Sequence, residues 1–359
     1  VIEVLIVFIK IICALVWFLA LTLYLADWVE RKQSAVIHDR IGANRASIFG
    51  IRILGLFQPV ADAIKMIFKE DFVPPFSRKF IHTLAPFTSY FFVAVTIAAV
   101  PFGDSIKIGE RTITLQVLDF NVGLLFILAM LSLGIYGIIL SGWASNNRYS
   151  LLGGLRGAAQ LISYEVALGL SLIGLIMIYP SLQLSSIVRS QGELLFGFLP
   201  KWGIFLQPIG FLVFYFAAIA ETKRVPFDLP EGESEIIGFW TEYGGLKWGL
   251  FMMTDGMEII VVSALVTTLF FGGWQVPWLV AGGFQWPWGG EWLMPHWLVV
   301  LFQVAAFNIK VIFFCWLQVL IRWTYPRFRY DQLMDFGWKL LIPLSLVNIV
   351  GTGIVMSII

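Results

Sequence analysis

Apolar positions along the chain gather into eight runs, at residues 4–26, 82–100, 121–141, 160–179, 204–220, 250–271, 297–321 and 338–358. At 1.5 Å of rise per helical residue, runs of this length match a hydrocarbon layer of about 30 Å. The pattern predicts an all-α integral membrane protein of about eight transmembrane helices, in a single transmembrane domain spanning 1–359. Pro208 falls near the start of the fifth run and sets it apart from the others. The first run lacks a basic leader and is followed by no small-residue cleavage site, so it is expected to be a retained helix and not a signal peptide. The connection at 28–79 is too polar to span and too apolar for a free linker. Within it Leu56, Val60, Ile64, Ile67 and Phe68 recur at helical spacing while Asp62, Lys65 and Lys69 mark another side. That spacing predicts an amphipathic or re-entrant helix in the first loop.

Composition agrees with this reading: 59% of residues are hydrophobic and 13% charged, against about 45–50% and about 25% in soluble domains. A formal charge of +1 argues against a nucleic-acid partner, which needs a basic surplus on one face. Cys13 and Cys315 cannot build a disulfide framework or an iron–sulfur site, and His38, His82 and His296 lie outside the middle of any run, as interfacial polar residues would. No internal repeat supports an inverted-repeat transporter.

Basic residues give an orientation. Loops after the first, third, fifth and seventh runs hold seventeen Lys and Arg, with Lys339 at the adjoining start of the eighth run, while the opposite loops hold only Lys107, Arg111, Arg189 and Lys201. The positive-inside rule places the first set in the cytoplasm and both termini on the outer face. The Trp-rich outer loops, with Trp274, Trp278, Trp286, Trp288, Trp292 and Trp297, read as an interfacial aromatic belt.

One segment departs from this pattern. Residues 221–243, ETKRVPFDLPEGESEIIGFWTEY, carry Glu221, Asp228, Glu231, Glu233, Glu235 and Glu242 against Lys223 and Arg224, between two apolar runs. A carboxylate at bilayer depth costs roughly 2.5–3.5 kcal/mol or more unless paired, protonated or hydrated. Pro226, Pro230 and Gly232 break helix formation, and irregular backbone at that depth survives only inside protein or beside a water-filled cavity. A solvated acidic loop is the plainer alternative. Glu165, Asp255 and Glu258 lie inside apolar runs, the last two on one helix face. Glu258 has a second reading, as an isolated acid that reaches back to water. Lys10 and Lys310 are the basic outliers: Lys10 is expected to reach an interface by its long stem, and an acid is expected to pair with Lys310.

The acidic segment resembles the signature of the quinone-site membrane subunit of respiratory complex I, NADH:quinone oxidoreductase, the same component in bacteria and in mitochondria. QPVADAIKMIFKED at 58–71, SGWASNNRYSLLGGLRGAAQLISYE at 141–165 and RWTYPRFRYDQLMDFGWKLLIPLSLVN at 322–348 resemble further blocks of that family, in its order. The resemblance implies a bacterial inner-membrane subunit that is inactive alone. Peripheral quinone-reducing subunits, which carry flavin and iron–sulfur clusters, and neighbouring membrane subunits are the implied partners, with a lipid-soluble quinone as substrate. It implies a quinone chamber at Glu30, Arg31, Asp62, Lys65, Glu221 and Arg224. The proton path is implied to use Glu165, Asp228, Glu231, Glu233, Glu235 and Asp255, the last standing where the family has Glu. Other departures are Ala43 in place of Pro, an apparent insertion at 51–55, Lys223 in place of Asn, and a spacing one residue short at 236–243. Two rivals remain open: the homologous membrane subunit of a nickel–iron hydrogenase or formate hydrogenlyase, and a stand-alone ion transporter.

Overall fold

A computed structural model describes residues 2–358 apart from 109–110, 196, 233–234, 237 and 281. The chain is helical, with α1 (Ile2–Leu21), α2 (Glu30–Ile37), α3 (Gln58–Phe68), α4 (Lys79–Thr96), α5 (Gly123–Ala144), α6 (Arg148–Ile178), α7 (Leu184–Gln191), α8 (Gly203–Leu206), α9 (Pro208–Glu221), α10 (Gly245–Phe270), α11 (His296–Thr324), α12 (Tyr330–Asp335) and α13 (Ile342–Ile358). Among the described residues, seven helical segments are long and apolar enough to cross a membrane, and α9 is a shorter apolar helix. Three small antiparallel sheets decorate the even-numbered loops: β1 (Ser105–Ile108) with β2 (Arg111–Thr114), β3 (Leu194–Leu195) with β4 (Leu199–Pro200), and β5 (Leu279–Val280), β6 (Gly283–Gln285) and β7 (Glu291–Leu293). With helices alternating in direction, these sheets share the Trp-rich end and the 222–244 segment lies at the other.

Several helices extend past their apolar runs. The first continues from α1 through a π-helical stretch, Thr22–Val29, into α2, giving a rod of about 50 Å that outreaches the hydrocarbon. The fourth begins at Arg148, where the Asn147 side chain caps it by accepting from the Tyr149 amide. Hydropathy hides this turn because Arg148 and Arg156 interrupt it. The last starts at Tyr330 and passes through a second π-helical stretch, Phe336–Leu341, just ahead of Pro343, whose missing N–H and bulky ring disturb the regular ladder. The fifth run is divided at Gln207, where α8 stops and Pro208 starts α9. The predicted amphipathic helix is α3, with Pro59 in its first turn, the one helical place where proline costs little.

Close approach between helices depends on small residues. A Cβ at Gly137 would sit 2.6 Å from Ser89 Cβ and 2.9 Å from the Ala85 carbonyl oxygen, so its absence lets α5 lie directly on α4. Polar side chains link α9 and α13, with Gln207 donating to Thr352 Oγ1 at 2.7 Å and accepting from Asn348 Nδ2 at 2.8 Å. The centre of the bundle is α10. Nearly nine-tenths of its apolar window is buried, against about one-tenth for the first helix, and it packs on α3, α4, α7, α9 and α11. A helix enclosed on all sides cannot let Asp255 or Glu258 reach back to bulk water.

Candidate functional site

Past Glu221, which ends α9, the acidic segment closes over one end of this bundle as turns, with no helix among its described residues. Its backbone is held by the core: Gln160 on α6 donates to the carbonyls of Ala220 and Phe227 at 2.8 and 2.7 Å, and Ser150 donates to that of Phe239 at 2.6 Å. Gly157 leaves room for Pro230, whose ring would lie 3.2 Å from an added Cβ. Irregular backbone at this depth is satisfied by polar side chains of the spans beneath it.

Three ionisable side chains meet at the centre. Lys223, 1% exposed, places its Nζ 3.1 Å from Asp255 Oδ1 and 2.8 Å from Glu258 Oε1. Burying this many charges is tolerable only because each has a partner of opposite sign in contact. Glu231 shares a hydrogen bond with Asp255. Beyond Glu258 lies Glu221, close enough that the charges of Glu258 and Glu165 act on it, and Glu165 accepts a hydrogen bond from Ser132. One oxygen each of Glu221, Glu231, Glu258 and Asp228 is buried with no hydrogen-bond partner among the described residues.

A second set of charges adjoins the first. Arg224 donates to Glu30 at 2.6 Å, and Arg322 donates to the other oxygen of Glu30. Arg31, one residue further along α2, bridges Asp27 at 2.7 Å and Asp62 at 2.6 Å, and Lys65 lies 3.6 Å from Asp62. Gln58 donates to the same carboxylate. Arg31, Asp62 and Lys65 face a cleft of about 570 Å³ walled by Met66 of α3, by Lys69 just past its end, and by Tyr243–Gly245 and Trp248 at the start of α10. Arg224 also feels the charges of Asp255 and Glu231, so the cleft and the buried acids form one continuous line of charge.

The protonation of the loop groups follows from burial against pairing. For Lys223, burial alone would lower the affinity for a proton, but Glu258 and Asp255 outweigh it and hold the ammonium above its ordinary range. Arg224 is held up likewise by Glu30. Burial pushes Asp228 up to about 6 even though Arg327, 2.7 Å away, and Arg322 pull it down. Burial, with the charges of Asp255 and Asp228, pushes Glu231 well above the carboxylate range. An Asp raised this way binds its proton more tightly in the folded chain, so its contribution to stability is full below about 4 and is lost as pH rises through about 6. A carboxyl infrared band is expected to titrate with a midpoint near pH 6 and to vanish in Asp228→Asn; a midpoint near 4 would contradict the burial argument.

The residues expected at the site divide into three groups. Arg31, Asp62 and Lys65 line the cleft, and Glu30 and Arg224 form a separate ion pair beside it. Glu221 leaves that group and stands with Glu165, Asp255 and Glu258, deeper in the bundle. Glu235 pairs with Arg156 at 2.8 Å on a partly exposed surface, outside the buried line, and Glu233 lies outside the described residues. Sequence reasoning missed the central role of Lys223 and left Glu258 undecided. The available signal was a lysine just past an acid at the end of an apolar run, which needs a buried counter-charge, and the three-residue spacing of Asp255 and Glu258. Arg322 and Arg327 carried no local signal, because their partners are far away in the chain.

One smaller expectation is corrected. Lys310 meets no acid among the described residues. It donates to the carbonyls of Phe271, Gly273 and Gln275 at 2.7–3.0 Å, in the turn that follows α10, where backbone carbonyl oxygens offer partial negative charge. His82, in the first turn of α4, is buried and stacks on Tyr243 with ring centres 3.9 Å apart.

Fold and site together define a multi-pass helical membrane protein that carries a line of paired charges from a surface cleft into its interior. A family model described as NADH dehydrogenase matches residues 9–353, and the chain belongs to that family. It is 42% identical over 358 residues to a Bdellovibrio bacteriovorus protein named as the H subunit of NADH-quinone oxidoreductase, covering 92% of this chain and 91% of the relative. A Geobacter metallireducens protein, named as an H subunit of the same oxidoreductase, is 45% identical over 343 residues, covering 95% and 94%. A Cytophaga hutchinsonii protein, also named as an H subunit, is 40% identical over 329 residues, covering 91% and 90%.

Proposed function

We propose that this chain is the membrane subunit of a proton-translocating NADH:quinone oxidoreductase, in which it forms the wall of the quinone chamber and the first stage of proton coupling. The observation that carries the reading is the continuity of charge from the Arg31–Asp62–Lys65 cleft, through Glu30 and Arg224, to the enclosed Lys223–Asp255–Glu258 cluster. The names of the relatives support quinone over hydrogen chemistry. In this reading the acidic end faces the cytoplasm of a bacterial inner membrane and both termini face outward. Peripheral subunits carrying flavin and iron–sulfur clusters dock over the acidic end, and neighbouring membrane subunits continue the path.

Reduction of a quinone takes two electrons and two protons and yields the quinol. Electrons arriving before protons place negative charge at the cleft, where Lys69, Arg31 and Lys65 line the wall, the last two held by carboxylates. Their attraction toward the quinone loosens their hold on Asp62 and Asp27. The change in field then reaches Glu30 and Arg224 and alters the cost of ionising the acids behind them. Chemistry at the headgroup belongs mostly to the partner, so the isolated chain has no turnover.

A photoreactive quinone analogue, added to the assembled complex, is expected to label peptides 58–69 or 243–248. Excess quinone should suppress the labelling, and Arg31→Gln should weaken it severalfold. Labelling confined to other segments, or insensitive to quinone, would overturn the assignment of the cleft.

A further inference from the structure

Away from the charged line, at the Trp-rich end, α1 stands off from the bundle and leaves a narrow slot of about 220 Å³ between itself, the β2 exit and α11. Its walls are almost wholly apolar. Trp17 closes the inner end, donating from its indole to Asn308 Oδ1 at 2.6 Å and meeting the Phe102 ring edge-on with centres 4.8 Å apart. Leu115 and Val304 line the sides. Outside the slot, Val4, Leu5, Phe8, Ile9 and Ile12 of α1 are exposed, as a lipid-facing helix surface would be.

Lys10 lies among the slot's lining residues, one to two turns from Cys13, Ala14 and Trp17 on the same helix face. Its Nζ donates to Thr114 Oγ1 and to the Gln116 carbonyl, each at 3.2 Å. Both acceptors are neutral, and no carboxylate pairs with this ammonium among the described residues. An ammonium has three donors, so one remains, along with an uncompensated charge beside an apolar slot. We propose that the slot is a binding site for an anionic glycerophospholipid, with one acyl chain lying along Trp17, Leu115 and Val304 and the phosphate accepting from Lys10. Charge selects this occupant. A neutral isoprenoid or a zwitterionic lipid matches the apolar walls but leaves the ammonium without a net counter-charge, and a neighbouring helix fits only if it brings an acid to this position.

The test uses the whole complex purified in mild detergent, with phosphatidylglycerol and phosphatidylcholine probes bearing a photoreactive acyl chain. Peptide 10–17 is expected to be labelled by the phosphatidylglycerol probe and protected by unlabelled phosphatidylglycerol but not by phosphatidylcholine. Lys10→Gln should lower that labelling about tenfold and Lys10→Arg should restore it, with assembly of each variant checked by native gel. Ala14→Phe, which fills the slot and keeps the charge, should abolish labelling by both probes. Equal labelling of peptide 10–17 by the two probes, its absence from the wild-type complex, or unchanged labelling in Lys10→Gln would each overturn the proposal.

Discussion

Lys223→Met is expected to destabilise the assembled protein by about 3–5 kcal/mol, the usual cost of stranding buried charges by removing their partner. Asp255 and Glu258 both lose their ammonium, at contacts of 3.1 and 2.8 Å, on a helix whose apolar window is nearly nine-tenths buried. The second half of the result is more informative. Glu258→Gln placed in the Lys223→Met background should return about 1–3 kcal/mol, because removing a now unpaired carboxylate is favourable where removing a paired one is not. Glu258→Gln alone should be destabilising. Denaturant unfolding of the purified chain in detergent, run as a double-mutant cycle, measures both effects. Strict additivity would show that the three side chains do not share one interaction.

The second large effect concerns activity and rests on the proposed function. Glu221→Gln is expected to lower coupled quinone reduction in proteoliposomes at least tenfold while the complex still assembles. Glu221 Oε2 is enclosed and makes no hydrogen bond among the described residues, so an amide of the same shape breaks no described bond at that oxygen. What it removes is the ability to carry a proton beside Glu258 and Glu165. Glu235→Gln is the matched control: its carboxylate sits on a partly exposed surface against Arg156, where an ion pair contributes about 0–1 kcal/mol, and a much smaller loss is expected. Equal losses in the two variants would return Glu235 to the path; full activity in Glu221→Gln would remove Glu221 from it.

Much of this architecture was legible without coordinates, for reasons that differ between elements. A membrane enforces long apolar runs, so the spans at 82–100 and 297–321 lie close to α4 with its terminal turn and to α11. The apolar rule fails where a helix leaves the hydrocarbon, as at Arg148, since water tolerates any composition there. Irregular structure across 222–244 followed from Pro226, Pro230 and Gly232. Which acids it buries did not follow, because burial depends on packing by distant partners: Arg322 comes from the far end of α11 and Arg327 from the loop after it, and Arg156 draws Glu235 outward. Lys310 shows the same limit, since backbone carbonyls leave no trace in a list of charged residues.

The enclosure of α10 also bears on how the protein is made. This helix carries Lys247, Asp255 and Glu258, and such residues make a segment a poor candidate for release into lipid on its own. Lys223, which pairs with two of them, leaves the ribosome earlier, just past the end of α9. Biosynthesis therefore has to hold the preceding spans near the insertion machinery until α10 emerges, so that it partitions into a waiting protein cradle and not into the bilayer.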